Sequence, residues 1–307
     1  MSSILTNSAA MTALKSLQAT NASLDTTQSR ISTGLKVGEA ADNAAYWSIA
    51  TTMRSDNKAL GTVQDALGLG GAKVDVAYTG MNSAIDVVDE IKSKLVAARE
   101  PGVDKAKIQS EIGELQNQLT SIATSASFSG ENWLSHDSSA TAYSATKDVV
   151  ASFNRAADGS VSVGTVSIDT SASKLFDANV AASGILDTNF TTTGAGAVTV
   201  SVSTLDITAA NIDDTDIDQM ISAVDGAVTS MTTSASDLGA SKGRIDMQTN
   251  FVSSLMDAIE RGVGTLVDAD MTKESTRLSA LQTQQQLGTQ ALSIANSSAQ
   301  SILSLFR

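Results

Sequence analysis

The stretch from Ile217 to Leu266 reads IDQMISAVDGAVTSMTTSASDLGASKGRIDMQTNFVSSLMDAIERGVGTL. Alternating steps of four and three through it land on Ile217, Ile221, Val224, Val228, Met231, Ala235, Leu238, Lys242, Ile245, Thr249, Val252, Met256, Ile259, Val263 and Leu266. A heptad spacing held over this length argues for a coiled-coil-like rod. One helix across it would be about 75 Å long at ~1.5 Å per residue, too long for a compact domain.

A second series lies upstream: Leu60, Val63, Leu67, Gly70, Val74, Tyr78, Met81, Ile85, Val88, Lys92 and Leu95, with only Gly70 and Lys92 off pattern. The chain has a single proline, Pro101, so little stops such helices from running on. Pro101-Gly102 separates this series from a third helix expected over Asp104–Ala126, with Ile108, Ile112, Leu115, Leu119 and Ile122 on one face. That arrangement reads as an antiparallel helical hairpin.

The two ends carry weaker versions of the pattern. The front shows Leu14, Leu17, Asn21, Leu24, Gln28, Ile31 and Leu35; the back shows Leu278, Leu281, Gln285, Gly288, Leu292, Ala295, Ala299, Ile302 and Phe306. Amides and small residues dilute both seams, so these helices need partners to stay folded. Their charge content says what kind of partner. Residues 1–24 hold one charged side chain, Lys15, and residues 278–306 hold none, in a chain of net charge −13. A solvated helix normally carries charge on its outer face. A face that is buried against copies of itself gains from having none, because desolvating unpaired charge is costly.

The middle, Ser135 to Thr215, differs in kind, with 25 Ser and Thr, no Glu, and only Lys147, Arg155 and Lys174 as cations. DVVASF and SVSVGTVSI alternate as strands do, with a turn at Ala157-Asp158-Gly159, and AVTVSVSTLDI is a further strand candidate. A small β-rich domain is expected here, inserted between helical arms.

Composition excludes several functions. An acidic chain is a poor match for nucleic-acid phosphates. The absence of cysteine removes disulfides, thiolate metal sites and Cys nucleophiles. One histidine, His136, rules out any site with two histidine ligands, and its surroundings, LSHDSSA, contain no nucleophile elbow. In NIDDTDID, Asp214, Asp216 and Asp218 start a calcium-loop spacing, but Gln219 stands where Gly is required. Capping of the long helix is the better reading. The glycines of GLGLGGAK, Gly68, Gly70 and Gly71, have no phosphate-loop spacing and are expected to loosen a helix. No catalytic residue, cofactor or metal is expected. The opening MSSILTNSAAMTAL lacks the basic and apolar blocks of a secretory signal, and the uncharged run 278–306 is too rich in Ser, Thr, Asn and Gln to enter a membrane.

One stretch resists this helical reading. ISTGLKVGEAADNAAYWSIA, Ile31–Ala50, combines two glycines, an acidic patch and a Tyr46-Trp47 pair. It reads as a joint: Gly34 and Gly38 let the chain turn, Asp42 or Asn43 caps the next helix, and Tyr46 and Trp47 are packing anchors between subunits.

These ends resemble those of bacterial flagellin. The front carries SRISTGLKVGEAADNAAYWSIATTMRSD; the back carries LGASKGRID and a run from Val267 to Arg307 ending in ANSSAQSILSLFR. The resemblance covers residues 1–134 and 217–307. SFSGENWL, Ser127–Leu134, looks most like flagellins of root-associated α-proteobacteria. It implies a mainly α fold, with a helical rod drawn from both chain ends and an inserted outer domain. The expected division is an assembly helix (1–40), rod (41–134), variable β-rich domain (135–215), rod (216–267) and second assembly helix (268–307).

The resemblance further implies a structural filament subunit for swimming, located outside the cell and exported by the flagellar type III route, with a hook–filament junction protein as the alternative. The expected partners are other copies of itself, possibly other flagellins, the hook-junction and cap proteins, and the export apparatus with its chaperone. Leu14, Leu17, Leu24, Ile31, Leu35, Leu278, Leu281, Leu292, Ile302 and Phe306 are the expected subunit-interface residues. A filament-associated peptidase would need an HExxH motif that a chain with one histidine cannot supply. Two receptor epitopes of the family depart from pattern. The plant-recognised Lys-Asp-Asp-Ala-Ala-Gly is here Ala41-Asp42-Asn43-Ala44-Ala45-Tyr46, and the animal receptor's Arg-Glu-Leu core is missing from Asp89–Leu95. Weak recognition by both receptors is expected.

Overall fold

The computed structural model describes residues 7–140, 143–179 and 183–304, with side chains placed as far as residue 298. Among the described residues, five α-helices carry most of the chain: α1 (Ser8–Thr33), α2 (Ala44–Ala98), α3 (Lys105–Ser125), α4 (Asp214–Val267) and α5 (Met271–Ser304). Between α3 and α4 the described residues form eight strands: β1 (Ser127–Phe128), β2 (Glu131–Asn132), β3 (Ser135–His136), β4 (Thr146–Arg155), β5 (Val161–Asp169), β6 (Phe176–Asp177), β7 (Phe190–Thr191) and β8 (Thr199–Val200). The chain divides into two compact units, one of residues 1–58 and 256–307, the other of residues 59–255.

In the larger unit the heptad logic holds, with one adjustment. The buried seam of α2 is Leu60, Val63, Leu67, Val74, Ala77, Met81, Ala84, Val88, Ile91, Leu95 and Ala98. Tyr78, Ile85 and Lys92, expected on that seam, sit one place off it and are only half-buried. Ile91 takes the inward position, which leaves the Lys92 ammonium free to pair with Asp225 of α4. In α4 the residues Ile217, Val224, Met231, Leu238, Ile245 and Val252 are buried as expected. Two alternate positions shift by one, to Met220 and Ala227, so Ile221 and Val228 flank the seam, while Ala235 is buried as expected with Ser234 beside it. Ser234 tolerates burial because its hydroxyl donates to the Ala172 carbonyl at 2.5 Å. A helix with several neighbours presents a strip wider than a two-helix seam, and pattern alone does not say which edge is deepest.

Ion pairs place α2 and α4 side by side and antiparallel within this unit. Arg99 pairs with Asp214 and Asp218, Lys92 with Asp225, and Asp75 with Lys242. Helix α3 is capped by Asp104, whose carboxylate accepts from the Ala106 N–H at 3.1 Å, and Lys94 of α2 reaches Glu111 of α3 at 2.7 Å.

The inserted segment is built from two-stranded pieces rather than one sheet. β4 and β5 form the antiparallel hairpin that alternation predicts, with an irregularity between Val150 and Ser152. It docks on α2 through Val149, whose methyls occupy the place where a side chain at Gly70 would begin: a Cβ there would lie 2.4 Å from Val149 Cγ1. The glycine expected to loosen the helix instead admits a strand. AVTVSVSTLDI departs further from expectation. Only Thr199–Val200 is strand, and Val202–Thr204 forms a 3-10 turn closed by reciprocal bonds between Ser201 and Thr204. The turn is drawn onto α3, where Gln116 donates to the Val202 and Leu205 carbonyls, each at 3.1 Å. Burial of Leu205 and Ile207 there outweighs strand alternation.

Candidate assembly surface

The smaller unit holds the two terminal helices and the joints that lead into them. Helix α1 begins at Asn7, whose side chain accepts from the Ala10 N–H at 3.0 Å. It ends at Gly34, which takes φ +73° and returns its N–H to the Arg30 carbonyl. A residue with a Cβ pays for that left-handed conformation, so glycine stops the helix cleanly. Helix α5 lies antiparallel to α1. Asn7 Nδ2 donates to the Ala295 carbonyl at 2.9 Å, Gln285 Nε2 donates to Asn21 Oδ1 at 2.8 Å, and Arg30 meets Glu274 at 3.4 Å. A Cβ at Gly288 would stand 3.1 Å from Leu17 Cδ1, so the glycine lets the helices close up.

The expected interface residues within the described side chains have definite places. Leu24 and Leu281 are buried, while Leu17, Ile31, Leu278 and Leu292 are half-buried. This part of the amide-diluted seam is used within the chain, holding α1 on α5. Leu14 is exposed, beside Met11 on α1, and α5 exposes Leu287 and Ile294; Met11 and Ile294 are 65% and 66% exposed. Outward exposure thus falls on Leu14 of the heptad series and on Met11, Leu287 and Ile294 beside it. For Ile302 only the helical backbone is described, and Phe306 lies outside the described residues.

Leu35 is not on the end helix. It follows Gly34 and forms an isolated antiparallel bridge with Asp268, in the short break between α4 and α5. Backbone bonds reinforce the bridge: Lys36 N–H to the Val267 carbonyl at 2.7 Å, and Ala269 N–H to the Gly34 carbonyl at 2.8 Å. The Lys36 ammonium adds a bond to the Thr265 carbonyl. The two joints are thus tied to each other, and Leu35 joins Met53, Ile259 and Leu266 around a small core of Val37, Ala50, Val263 and Val267. No local signal in either stretch announces this pairing, which joins residues more than 220 positions apart.

Within the first joint the capping alternatives separate. Asn43 caps α2, accepting from the Tyr46 N–H at 3.1 Å. Asp42 instead closes the loop, accepting from the N–H groups of Gly38 at 2.9 Å and Glu39 at 3.2 Å, which hold its carboxyl below the usual range. Gly38 does not adopt a left-handed conformation; its contribution is that N–H. Tyr46, Trp47 and Ile49 follow on the first turns of α2 with 38–48% of their surface exposed.

The other candidate chemistry resolves into structural roles. Asp216 is buried and accepts from the N–H groups of Gly194 and Gly196, each at 3.0 Å. Bonds from the Thr192 hydroxyl and these amides lower its pKa to about 2. Asp213 supplies the cap of α4, accepting from the Asp216 N–H, and Asp214 and Asp218 hold Arg99. Among the described residues, no cluster of His, Cys, Asp or Glu is set to hold a metal, and no helix is long and apolar enough to cross a membrane.

Comparison with known proteins agrees with this layout. The model of the bacterial flagellin N-terminal helical region matches residues 4–139, and that of the C-terminal helical region matches residues 221–306. Flagellin C of Rhizobium meliloti (strain 1021) is 55% identical across the whole of both chains. Flagellin A of Rhizobium meliloti is 47% identical and the flagellin of Brucella melitensis biotype 1 is 49% identical, again over the full length of both partners.

Proposed function

The chain belongs to the bacterial flagellin family, and from that premise we propose that it is the repeating subunit of the flagellar filament rather than a hook–filament junction protein. Flagellins are structural proteins of the extracellular filament that drives motility, not enzymes, and they polymerise with copies of themselves. The observation that carries the finer reading is the outward face of the α1–α5 pair. It exposes Met11, Leu14, Leu287 and Ile294 on stretches, residues 8–24 of α1 and 278–304 of α5, whose one charged side chain is Lys15, in a chain of net charge −13. Copies this acidic repel one another, so contact is cheapest where charge is absent. Apolar area removed from water there contributes about 25 cal/mol per Å².

A filament needs a contact that does not close into a ring, and hence two different patches per subunit. The α1–α5 face is one. The Tyr46, Trp47 and Ile49 surface at the start of α2 is the second. Residues 1–40 and 268–307 then act as assembly segments, and 41–134 with 216–267 as the rod. Residues 135–215 act as the outer domain. Export through the flagellar channel with its chaperone, and contact with hook-junction and cap proteins, follow from the same reading. So does weak recognition by plant and animal receptors, given Tyr46 in one epitope and no Arg-Glu-Leu core in the other.

Removing residues 1–35 or 278–307 tests the proposal. Each trimmed chain should keep a helical larger unit yet form no filaments. Filaments from both trimmed chains overturn the assignment of the ends. Electron microscopy of the purified full chain after salting-out separates subunit from junction protein: micrometre filaments are expected of the first, and short oligomers of the second.

A further inference from the structure

We propose that His136 is an acid-sensitive latch on the inserted segment: when its ring gains a proton, the β3–β6 pairing opens. The latch is a small, densely hydrogen-bonded assembly, with the Asp187 carboxylate taking the Asp177 N–H on one oxygen and its Oδ1 buried without a partner. β3 and β6 run parallel, with Ser135 opposite Phe176 and His136 opposite Asp177. The His136 carbonyl accepts from the Ala178 N–H at 3.1 Å, and the Leu134 carbonyl accepts from the Leu175 and Phe176 N–H groups. The imidazole stacks on Tyr143, ring centroids 4.7 Å apart and planes 23° apart.

Its Nε2 is buried without a partner. A neutral imidazole tolerates this, because one ring nitrogen is only an acceptor. An imidazolium must donate from both. The nearby carboxylate cannot accept the second proton. Asp177 already takes bonds from Ser138 N–H at 2.9 Å, Asn179 N–H at 3.1 Å, Ser183 Oγ at 2.6 Å and Lys174 Nζ at 3.0 Å. The charged groups around the ring are Lys174, Lys147, Asp177 and Asp137. Lys174 is buried and its ammonium pairs with Asp177 at 3.0 Å, so an imidazolium would meet a cation whose countercharge is already engaged. Burial, and next the Lys174 charge, hold the His136 pKa below its ordinary value of 6.5.

The sign follows. The opened segment's imidazole titrates near 6.5, roughly the unperturbed value, while the latched one titrates lower. The latch is therefore firm above the open-state value and weakens as pH falls below it, by up to about tenfold in open population per pH unit. His136 is the chain's one histidine, and there is no cysteine. The carboxylate pKa values that shift among the described residues all move down, away from this interval.

Hydrogen exchange on the depolymerised full chain tests the latch, with rates corrected for the intrinsic effect of pH. Protection of the Phe176 and Ala178 amides should fall between pH 6.5 and 5.5, by up to about fivefold, while that of the central α4 amides stays level. His136→Phe keeps a ring on Tyr143 and cannot titrate, so its protection should not change with pH. Constant protection in the unmodified chain, or an equal fall in the variant, overturns the proposal. Should the variant fail to fold, NMR titration of the lone imidazole in the unmodified chain decides: a pKa below 6.5 with loss of the Tyr143 ring-current shift supports the latch, and a pKa at or above 6.5 overturns it.

Discussion

Two glycines on α2, two residues apart, make a controlled experiment on how the inserted hairpin is held. At Gly68 an added Cβ meets nothing within 4 Å. At Gly70 it would stand 2.4 Å from Val149 Cγ1, 2.7 Å from Cγ2 and 3.1 Å from Cβ, and Val149 is buried in β4. Replacing glycine by alanine inside a helix stabilises it by about 1 kcal/mol through backbone entropy. Gly68→Ala should show that gain undiminished. Gly70→Ala has the same gain but must also push a β-branched side chain out of a filled site, which costs roughly 1–3 kcal/mol. The propensity term cancels in the difference, so Gly70→Ala should be less stable than Gly68→Ala by about 1–3 kcal/mol. In the double variant Gly70→Ala/Val149→Ala the two methyl clashes are gone and only the 3.1 Å Cβ approach remains, so most of the penalty of the Gly70 change should disappear. Trp133 is buried in the larger unit, so its fluorescence in a Trp47→Phe background follows that unit alone during guanidinium unfolding. Equal stabilisation by Gly68→Ala and Gly70→Ala would refute the reasoning that the strand needs the glycine.

Leu281→Ala removes a buried side chain of the α1–α5 pair and should cost about 2–4 kcal/mol. Exchange protection should be lost in α1 and α5 and kept in the larger unit; loss in both units would contradict this. Trp47→Ala should leave the chain folded and raise the critical concentration for polymerisation at least fivefold, a cost of about 1 kcal/mol or more at a contact anchor; an unchanged value removes Trp47 from the interface. Asp216 has a folded pKa of about 2, below an unfolded value near ~3.9. Its contribution is therefore present above the unfolded value and is lost as pH falls through the folded one. Protection of the Gly194 and Gly196 amides should fall between pH 4 and about 2. Asp216→Asn should lower it at neutral pH and flatten the profile, and an unaltered acid profile in that variant would disprove the assignment.

Much of this protein is legible along the chain. A single proline, apolar residues every three and four positions, and ends almost empty of charge suffice for long helices with one buried edge and for ends that favour association. These are local or periodic properties, and they do not depend on what the helix packs against. The alternating strands β4 and β5, and the cap preceding α4, are readable for the same reason.

Four features needed the tertiary structure. The deepest edge of α2 passes through Ala77, Ala84 and Ile91 rather than Tyr78, Ile85 and Lys92, because several neighbours compete for one helix. AVTVSVSTLDI folds mostly as a turn because α3 offers amide partners and a buried site for Leu205 and Ile207. Gly70 serves a strand that lies about eighty residues further along the chain. The bridge of Leu35 to Asp268 joins the two joints across most of the chain. Periodicity reports how a segment divides its own surface between apolar and polar; it carries no information about which distant backbone will satisfy its hydrogen bonds or which methyl will fill its gaps. The residues alone therefore determined helices that seek partners, and only packing decided that Leu17, Leu24 and Ile31 are covered within the chain while Met11 and Leu14 stay exposed.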